Sequence, residues 1–321
     1  MSPPDISVVI ASHNRTDRLP ALLDSLTEQT LPPERWEVVV VHTYAPDVAK
    51  ALLDDSDLGR SGHLRQRRVD PAGARPSIQR NVGWRMARGE LVAFVDDDCR
   101  ATPEWLERLV GGADARAGAI VQGTTLPDPR DEDAFLHPHV RTLRIHPPSR
   151  EVQTCNIVYR RALLERLGGF DERAITGEDI DLSIRARDSG AEIAGAPDAL
   201  VYHAIDALSL LEKVRSQYKW QHLAYVVKRN PRLRRWCAMR IWWKDEHLDA
   251  VVALVALAGA RRRPWMLAGL YPYFRVERYR HGTGRRYQLR AIREMPVHWL
   301  VEIAEVGTFI VGSVRYRTIL L

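Results

Sequence analysis

Short apolar runs alternate with amphipathic segments along the first part of the chain, up to residue 205. The runs at 6–11, 36–41 and 90–95 are rich in β-branched residues and predict strands buried on both faces. Between the first two, Leu19, Leu22, Leu23 and Leu26 recur at helical spacing. This order predicts an α/β fold with a mostly parallel sheet flanked by helices, which binds ligands at the carboxyl ends of its strands.

The pattern changes near residue 205, so we expect two domains, 1–205 and 206–321. The second part reads as basic helices rich in tryptophan. Such helices fit an interfacial membrane contact, and a helical appendage packed on the sheet or a dimer face fits as well. The proline-rich stretch 123–150 predicts a long irregular loop.

Membrane and export signals are weak in this sequence. The apolar stretch 250–260 stops at three arginines, and 297–314 is interrupted by Glu302 and Glu305, so we expect no membrane span. The first residues do not resemble a signal peptide. With three scattered cysteines, these features favour a cytoplasmic protein, at most peripheral at the inner face of the plasma membrane.

The chain carries a formal net charge of +6, nearly all of its basic residues being arginine. Codon bias in a GC-rich genome explains this as well as attraction to anionic partners does. The charge forms no recognisable nucleic-acid-binding motif, so we expect no nucleic-acid partner.

Three aspartates, Asp96, Asp97 and Asp98, directly follow the apolar run at 90–95. In an extended segment Asp96 and Asp98 point to one side and Asp97 to the other. Two carboxylates on one side repel each other unless a cation lies between them, and oxygen ligands suit Mg²⁺ or Mn²⁺, which also bind phosphate. The alternative is a turn whose aspartates cap the next helix.

A second acidic cluster, Glu178-Asp179-Ile180-Asp181, follows Gly177 at the start of a predicted helix. Acids in a first helical turn are stabilised by the helix dipole, which is the simpler explanation. A carboxylate there could also deprotonate an acceptor hydroxyl, which is the work of a general base.

The segment after the first run, Ser12-His13-Asn14-Arg15-Thr16, suits a nucleotide or phosphate at a helix N-terminus. It matches neither a Walker loop nor a GxGxxG fingerprint. Arg80, on a predicted helix before the acidic strand, could meet a diphosphate or simply face solvent.

Taken together, the segments 6–15, 78–99 and 167–190 resemble the bacterial family 2 glycosyltransferases, which are inverting enzymes with the Rossmann-like GT-A fold. The resemblance implies that Asp96 and Asp98 form the metal-binding D-x-D pair, with His203 helping to hold the metal. It implies that Asp179, beside Glu178, is the catalytic base. The implied nucleotide-sugar pocket comprises Ala11, His13, Asn14, Arg15, His42, Asp47, Arg80, Asn81, Asp96 and Asp97.

One departure concerns the nucleotide base. Many relatives end the second strand with an aspartate that reads the base, whereas this chain has His42, with Asp47 matching only the second acid of that motif. The resemblance therefore leaves the base open.

The function implied is a Mn²⁺- or Mg²⁺-dependent transfer of a sugar from a nucleoside-diphosphate sugar to an acceptor hydroxyl. The acceptor would be a cell-envelope glycan or glycolipid. Glycosylation of a secondary metabolite and a catalytically silent nucleotide-sugar binder are the alternatives. A homodimer is also left open.

Overall fold

The computed structural model describes residues 3–116, 118–280 and 282–321, which form two compact units. The first runs up to Leu136 and continues over Val140–Ala207. The second comprises His137–His139 and Leu208–Leu321. The functions predicted for the two parts of the chain stay predictions.

The first unit is built on an eight-stranded sheet with the strand order β3-β2-β1-β4-β8-β6-β9-β5. Two further strands, β7 and β10, pair with each other. The strands are β1 (Ile6–Ser12), β2 (Trp36–His42), β3 (Leu64–Arg68), β4 (Leu91–Asp96), β5 (Cys99–Ala101), β6 (Ile120–Pro127), β7 (Val140–Arg141), β8 (Asn156–Arg160), β9 (Ile193–His203) and β10 (Asp206–Ala207).

The sheet is mostly parallel, as the apolar runs predicted. β1 pairs in parallel with β2 and β4, β2 with β3, and β6 with β9. β8 runs antiparallel between β4 and β6, and β5 runs antiparallel to β9. The three apolar strands β1, β2 and β4 lie in the buried part of the sheet, which explains why their sequences read as continuous apolar runs.

Helices cover both faces of this sheet, so the predicted α/β class is confirmed. Leu19, Leu22, Leu23 and Leu26 are all buried in the core on one face. The helices are α1 (Leu19–Thr27), α2 (Pro46–Ala49), α3 (Asp57–Arg60), α4 (Pro76–Met86), α5 (Trp105–Ala115), α6 (Arg161–Leu167) and α7 (Glu178–Asp188).

The stretch 123–150 is more regular than the prolines suggested. Its first residues continue β6 to Pro127, and a 3₁₀ segment follows over Pro129–Leu136. Only the rest of the stretch is largely irregular.

The second unit is helical, as predicted. Its helix α12 is long and apolar enough to cross a membrane by length and composition alone. This helix contains the stretch 297–314, for which we expected no membrane span from the sequence. Glu302 and Glu305 of α12 are nevertheless buried inside the unit. The helices are α8 (Leu210–Gln217), α9 (Leu223–Arg229), α10 (Asp245–Ala260), α11 (Tyr271–Glu277) and α12 (Arg285–Tyr316), with 3₁₀ segments at Tyr218–His222, Pro231–Trp236 and Pro264–Leu270.

Close packing of α4 on the sheet depends on Gly83. A methyl group at this position would overlap the side chain of Val9 and meet Val41 Cγ2 at 3.4 Å. Both valines are buried and β-branched, so they have little freedom to move aside. The missing side chain lets α4 approach β1 and β2, and α4 also carries Arg80.

We therefore expect Gly83→Ala to lower the free energy of unfolding by about 1–3 kcal/mol, because the added methyl overpacks this contact. Gly111→Ala is the matched control, since Gly111 also lies inside a helix but a Cβ there meets nothing within 4 Å. The control should be neutral or stabilising by up to about 1 kcal/mol. Urea unfolding measures both, and equal effects would contradict the packing argument.

Candidate active site

The three aspartates lie where β4 ends at the carboxyl edge of the sheet, and they point in different directions. Asp97 turns toward β1, where its Oδ2 accepts a hydrogen bond of 2.5 Å from Ser12 Oγ. Burial, reinforced by the charges of Asp98 and Asp96, raises the pKa of Asp97 to about 7. Asp97 is therefore bonded to the last residue of β1 rather than grouped with its two neighbours.

Asp96 and Asp98 instead group with His203, and donor atoms of the three residues all lie within 4.8 Å of one another. The antiparallel register of β5 and β9 pairs Cys99 with His203, which brings the histidine beside Asp98. His203 Nε2 lies 3.3 Å from Asp98 Oδ1. Burial raises the pKa of Asp98, and the nearby charge of Asp96 adds to this shift.

This donor set fits a divalent cation. His203 Nδ1 donates to the carbonyl oxygen of Ala204 at 2.8 Å, which leaves Nε2 with its lone pair facing the carboxylates. Two carboxylates and one imidazole suit Mn²⁺, and Mg²⁺ accepts the oxygens readily. Part of the negative charge is balanced by Arg15, whose guanidinium lies 3.1 Å from Asp98 Oδ2.

Arg80 joins this group to the second acidic cluster. Its guanidinium donates to Glu178 Oε1 at 2.7 Å and to Asp96 Oδ1 at 2.9 Å. Arg80 is only 8% exposed although it is charged, so both pairs are shielded from water. Glu178 and Asp96, far apart in the chain, thus share one cation at this edge of the sheet.

Asp179 lies beside that ion-pair network at the start of α7. Gly177 precedes the helix in a left-handed conformation with φ 80°, which turns the chain into it. Burial, together with the adjacent charge of Glu178, raises the pKa of Asp179 to about 7, although Arg80 opposes the shift. A carboxylate with such a pKa can accept a proton near neutral pH.

The residues at the end of β1 and directly after it differ in their exposure to solvent. Ala11 and Arg15 are half-buried, whereas His13 and Asn14 are exposed. Asn14 has a φ of 55°, a conformation that asparagine tolerates better than most residues. His13 and Asn14 are therefore the members of this group that are most accessible to solvent.

Two predicted pocket residues have their side chains occupied by protein partners. Asn81 is 1% exposed, and its amide oxygen accepts hydrogen bonds from Trp84 Nε1 and Phe170 N, both at 2.9 Å. Its amide nitrogen donates to Phe170 O and Glu172 Oε1. Asn81 therefore holds the loop before α7, and the structure does not bring it to the site surface.

His42 is fully buried at the end of β2. Its Nε2 pairs with Gln66 Oε1 at 2.6 Å, and its Nδ1 accepts from the backbone N–H of Tyr44 at 3.1 Å. Burial lowers the pKa of His42, which favours the neutral ring. Asp47 lies exposed in α2.

Sequence reasoning missed Asp206. Its carboxylate lies 3.2 Å from Arg15, 3.7 Å from Arg18 and 2.5 Å from Arg141, so it anchors the arginine that contacts Asp98. Asp206 comes three residues after His203, but it belongs to no motif in the sequence, and its role depends on the pairing of β7 with β10.

The comparisons with known proteins agree with this geometry. The sequence profile described as Glycosyl transferase family 2 matches residues 7–168, which is half of the chain. Glycosyltransferase AglE of Haloferax volcanii is 27% identical over 74% of this chain and 80% of its own length.

Two further proteins are informative. Validoxylamine A glucosyltransferase of Streptomyces hygroscopicus subsp. limoneus is 29% identical over 58% of this chain, which spans about half (49%) of that protein. The mannosyltransferase PcManGT from Pyrobaculum calidifontis, solved with GDP-Man and Mn²⁺, matches 99% of this chain and 88% of its own at a TM-score of 0.53. At 18% identity, this structural match shows the shared fold alone.

The Arg80 network should contribute strongly to stability. We expect Arg80→Met to lower the free energy of unfolding by about 3 kcal/mol or more, because it leaves buried carboxylates without their cation. Arg85→Met is the matched control on the same helix, since Arg85 is half exposed and pairs with Glu172 only at 3.5 Å. The control should cost less than about 1 kcal/mol. Urea unfolding at neutral pH decides, and equal losses in the two variants would show that the network is not stabilising.

Proposed function

The chain belongs to glycosyl transferase family 2, and from that premise we propose that it transfers a sugar from a nucleoside-diphosphate sugar to an acceptor hydroxyl with inversion at the anomeric carbon. One observation carries the proposal. Asp96, Asp98 and His203 form a cluster that could hold a metal ion. Arg80 links this cluster to Glu178, which is adjacent to Asp179 in the chain.

The donor diphosphate would bind at the first of these groups. Asp96, Asp98 and His203 would hold a divalent cation, which when bound neutralises the charge of a departing diphosphate. Arg15 supplies a further positive charge next to Asp98, held by Asp206. Ala11, His13 and Asn14 would line the nucleotide at the end of β1.

Asp179 would act as the general base in this proposal. As the acceptor oxygen forms its bond to the anomeric carbon, the bond from that carbon to the diphosphate oxygen breaks, and the hydroxyl proton passes to the Asp179 carboxylate. Attack from the face opposite the leaving group inverts the anomeric centre in one step. Glu178, paired with Arg80, would orient this part of the site.

The identity of the nucleotide base stays open in the proposal. Both ring nitrogens of His42, the residue that replaces the base-reading aspartate, are already hydrogen-bonded within the protein. A donor panel with different bases is therefore needed. PcManGT was solved with GDP-Man, which makes a guanine nucleotide one natural member of that panel.

The acceptor is proposed to be a cell-envelope glycan or a glycolipid. A small secondary metabolite is the second candidate, which the similarity to validoxylamine A glucosyltransferase favours. The proposal of a silent binder is less well supported, because both carboxylate groups needed for turnover are present and adjacent.

Replacing the proposed base tests the function directly. With a panel of UDP-, GDP- and dTDP-sugars and Mn²⁺, we expect Asp179→Asn to lower turnover by about 10²–10⁴-fold while donor affinity changes little, because only proton transfer is lost. Wild-type turnover should fall as the pH drops below about 7, where Asp179 becomes protonated. Product formation is followed by nucleoside-diphosphate release.

Asp188→Asn is the control for that experiment, because Asp188 is exposed at the far end of the same helix. It should retain normal turnover. A fully active Asp179→Asn variant would show that Asp179 is not the general base. A wild-type protein that binds a donor but neither transfers nor hydrolyses it would favour the silent binder.

We also propose that the second unit contacts an anionic membrane surface. Helix α10 exposes four apolar side chains, Val252, Leu254, Val255 and Leu257. The following 3₁₀ segment exposes Trp265 (71%) and Leu267, and the exposed Arg261, Arg262 and Arg263 lie between the two elements. Apolar side chains, a tryptophan and clustered arginines are the composition of an interfacial membrane contact.

Vesicle binding tests this surface. We expect Val255→Ser with Trp265→Ser, and separately the replacement of Arg261, Arg262 and Arg263 by Gln, to weaken binding to vesicles of phosphatidylglycerol and phosphatidylcholine by at least about tenfold. Met239→Ser is the control, because Met239 is a similarly exposed apolar residue (74%) of the same unit. Co-sedimentation is the measurement. A wild-type protein that fails to bind and instead elutes as a dimer would favour the dimer face.

A further inference from the structure

Helices α10 and α12 of the second unit enclose a cluster of ionisable side chains that the proposed transfer reaction does not use. It consists of His247 on α10 and of Glu302 and Glu305, one helical turn apart on α12. Their exposures are 0%, 8% and 2%. Acidic side chains are seldom buried this far without a compensating cation.

Polar atoms in this cluster lack partners. Among the described residues, neither ring nitrogen of His247 has a hydrogen-bond partner, and neither does Glu302 Oε2. Leaving such groups buried and unpaired costs about 1–3 kcal/mol each. Because most buried polar groups in native proteins have a hydrogen-bond partner or a ligand, this arrangement indicates that an ion or ligand binds here.

The distances between the His247 ring and the two glutamates indicate where such an ion would lie. His247 Nε2 is 3.5 Å from Glu302 Oε2 and also 3.5 Å from Glu305 Oε2. A tetrahedral zinc ion with ligand bonds of about 2.0–2.1 Å has ligand-to-ligand distances of about 3.3–3.4 Å. The two distances from the imidazole nitrogen match this spacing, and all three donor atoms lie within 4.8 Å of one another.

We propose that His247, Glu302 and Glu305 bind a divalent zinc-type metal ion, with water at the fourth position. The ligand set of one imidazole and two carboxylates suits Zn²⁺ better than Ca²⁺, which prefers oxygen ligands alone. The ion would connect α10 to α12 and would stabilise the fold of the helical unit.

Neighbouring cations leave room for this ion. Lys244 Nζ contacts both oxygens of Glu305 at 2.7 and 2.9 Å, but its side chain is 39% exposed and can turn toward solvent when the metal binds. Arg280 pairs mainly with Glu277, through two contacts of 2.7 Å, and approaches only the other oxygen of Glu302, at 3.4 Å. Among the described residues, the Glu302 oxygen that faces His247 accepts no hydrogen bond, although the charge of Lys244 also acts on this carboxylate.

Zinc retention tests the site in the 321-residue chain. Every variant carries Asp98→Asn, so that the cluster of the first unit contributes little. After chelator treatment, incubation with Zn²⁺ and gel filtration, we expect about one zinc per chain by mass spectrometry. Adding Glu302→Gln, which conserves size, should lower the affinity for Zn²⁺ by at least about tenfold, and His247→Leu should do the same.

His298→Gln is the matched control, since His298 is another buried histidine of α12 but pairs with Glu277 instead. This variant should retain zinc, and zinc should raise its melting temperature, whereas the melting temperature of the Glu302→Gln variant should not respond. Circular dichroism verifies that each variant is folded. Equal retention in the Glu302→Gln and His298→Gln variants would overturn the proposal. So would a chain that retains no zinc.

Discussion

The candidate site depends on one buried guanidinium. Arg80 reaches the site on α4, which packs closely on the sheet because Gly83 has no side chain. From there it binds Glu178 and Asp96, two acids that lie far apart in the sequence of the first unit. Several carboxylates crowd this edge of the sheet, and without a shared cation their mutual repulsion and the cost of burying them would oppose the fold.

The same crowding gives the site its chemistry. Carboxylates held close together and away from water favour a bound cation at one group and a proton at another. Asp98, beside His203, corresponds to the first case in the proposed function. Asp179, whose pKa is raised to about 7, corresponds to the second.

The sequence predicted the parts of this site that lie at the ends of apolar runs. Strands β1, β2 and β4 are buried on both faces, so composition alone identified them and the acids that follow β4. The antiparallel strands were harder to predict from the sequence. The pairing of β5 with β9, which brings His203 to Asp98, depends on a register between distant segments of the chain.

Predictions for single pocket residues depended on tertiary contacts that no local pattern reveals. Asn81 lies within a segment that resembles the family, yet its hydrogen-bonding atoms are occupied by Trp84, Phe170 and Glu172. Asp206 was missed for the opposite reason, since only the folded chain places it against Arg15. The helical unit shows the same limit, because the glutamates that interrupt the apolar pattern of α12 are buried beside His247.

Nuclear magnetic resonance of the chain labelled with ¹³C aspartate can determine whether the two carboxylate groups share one site with a metal ion. Paramagnetic Mn²⁺ broadens the carboxylate signals of nearby residues. We expect Mn²⁺ to broaden the signals of Asp96, Asp98 and Asp179 together. The signal of Asp5, at the opposite edge of the sheet and about 20 Å away along β1, should stay sharp. Broadening of Asp98 with a sharp Asp179 signal, or no selective broadening at all, would show that the two carboxylate groups do not share a metal site.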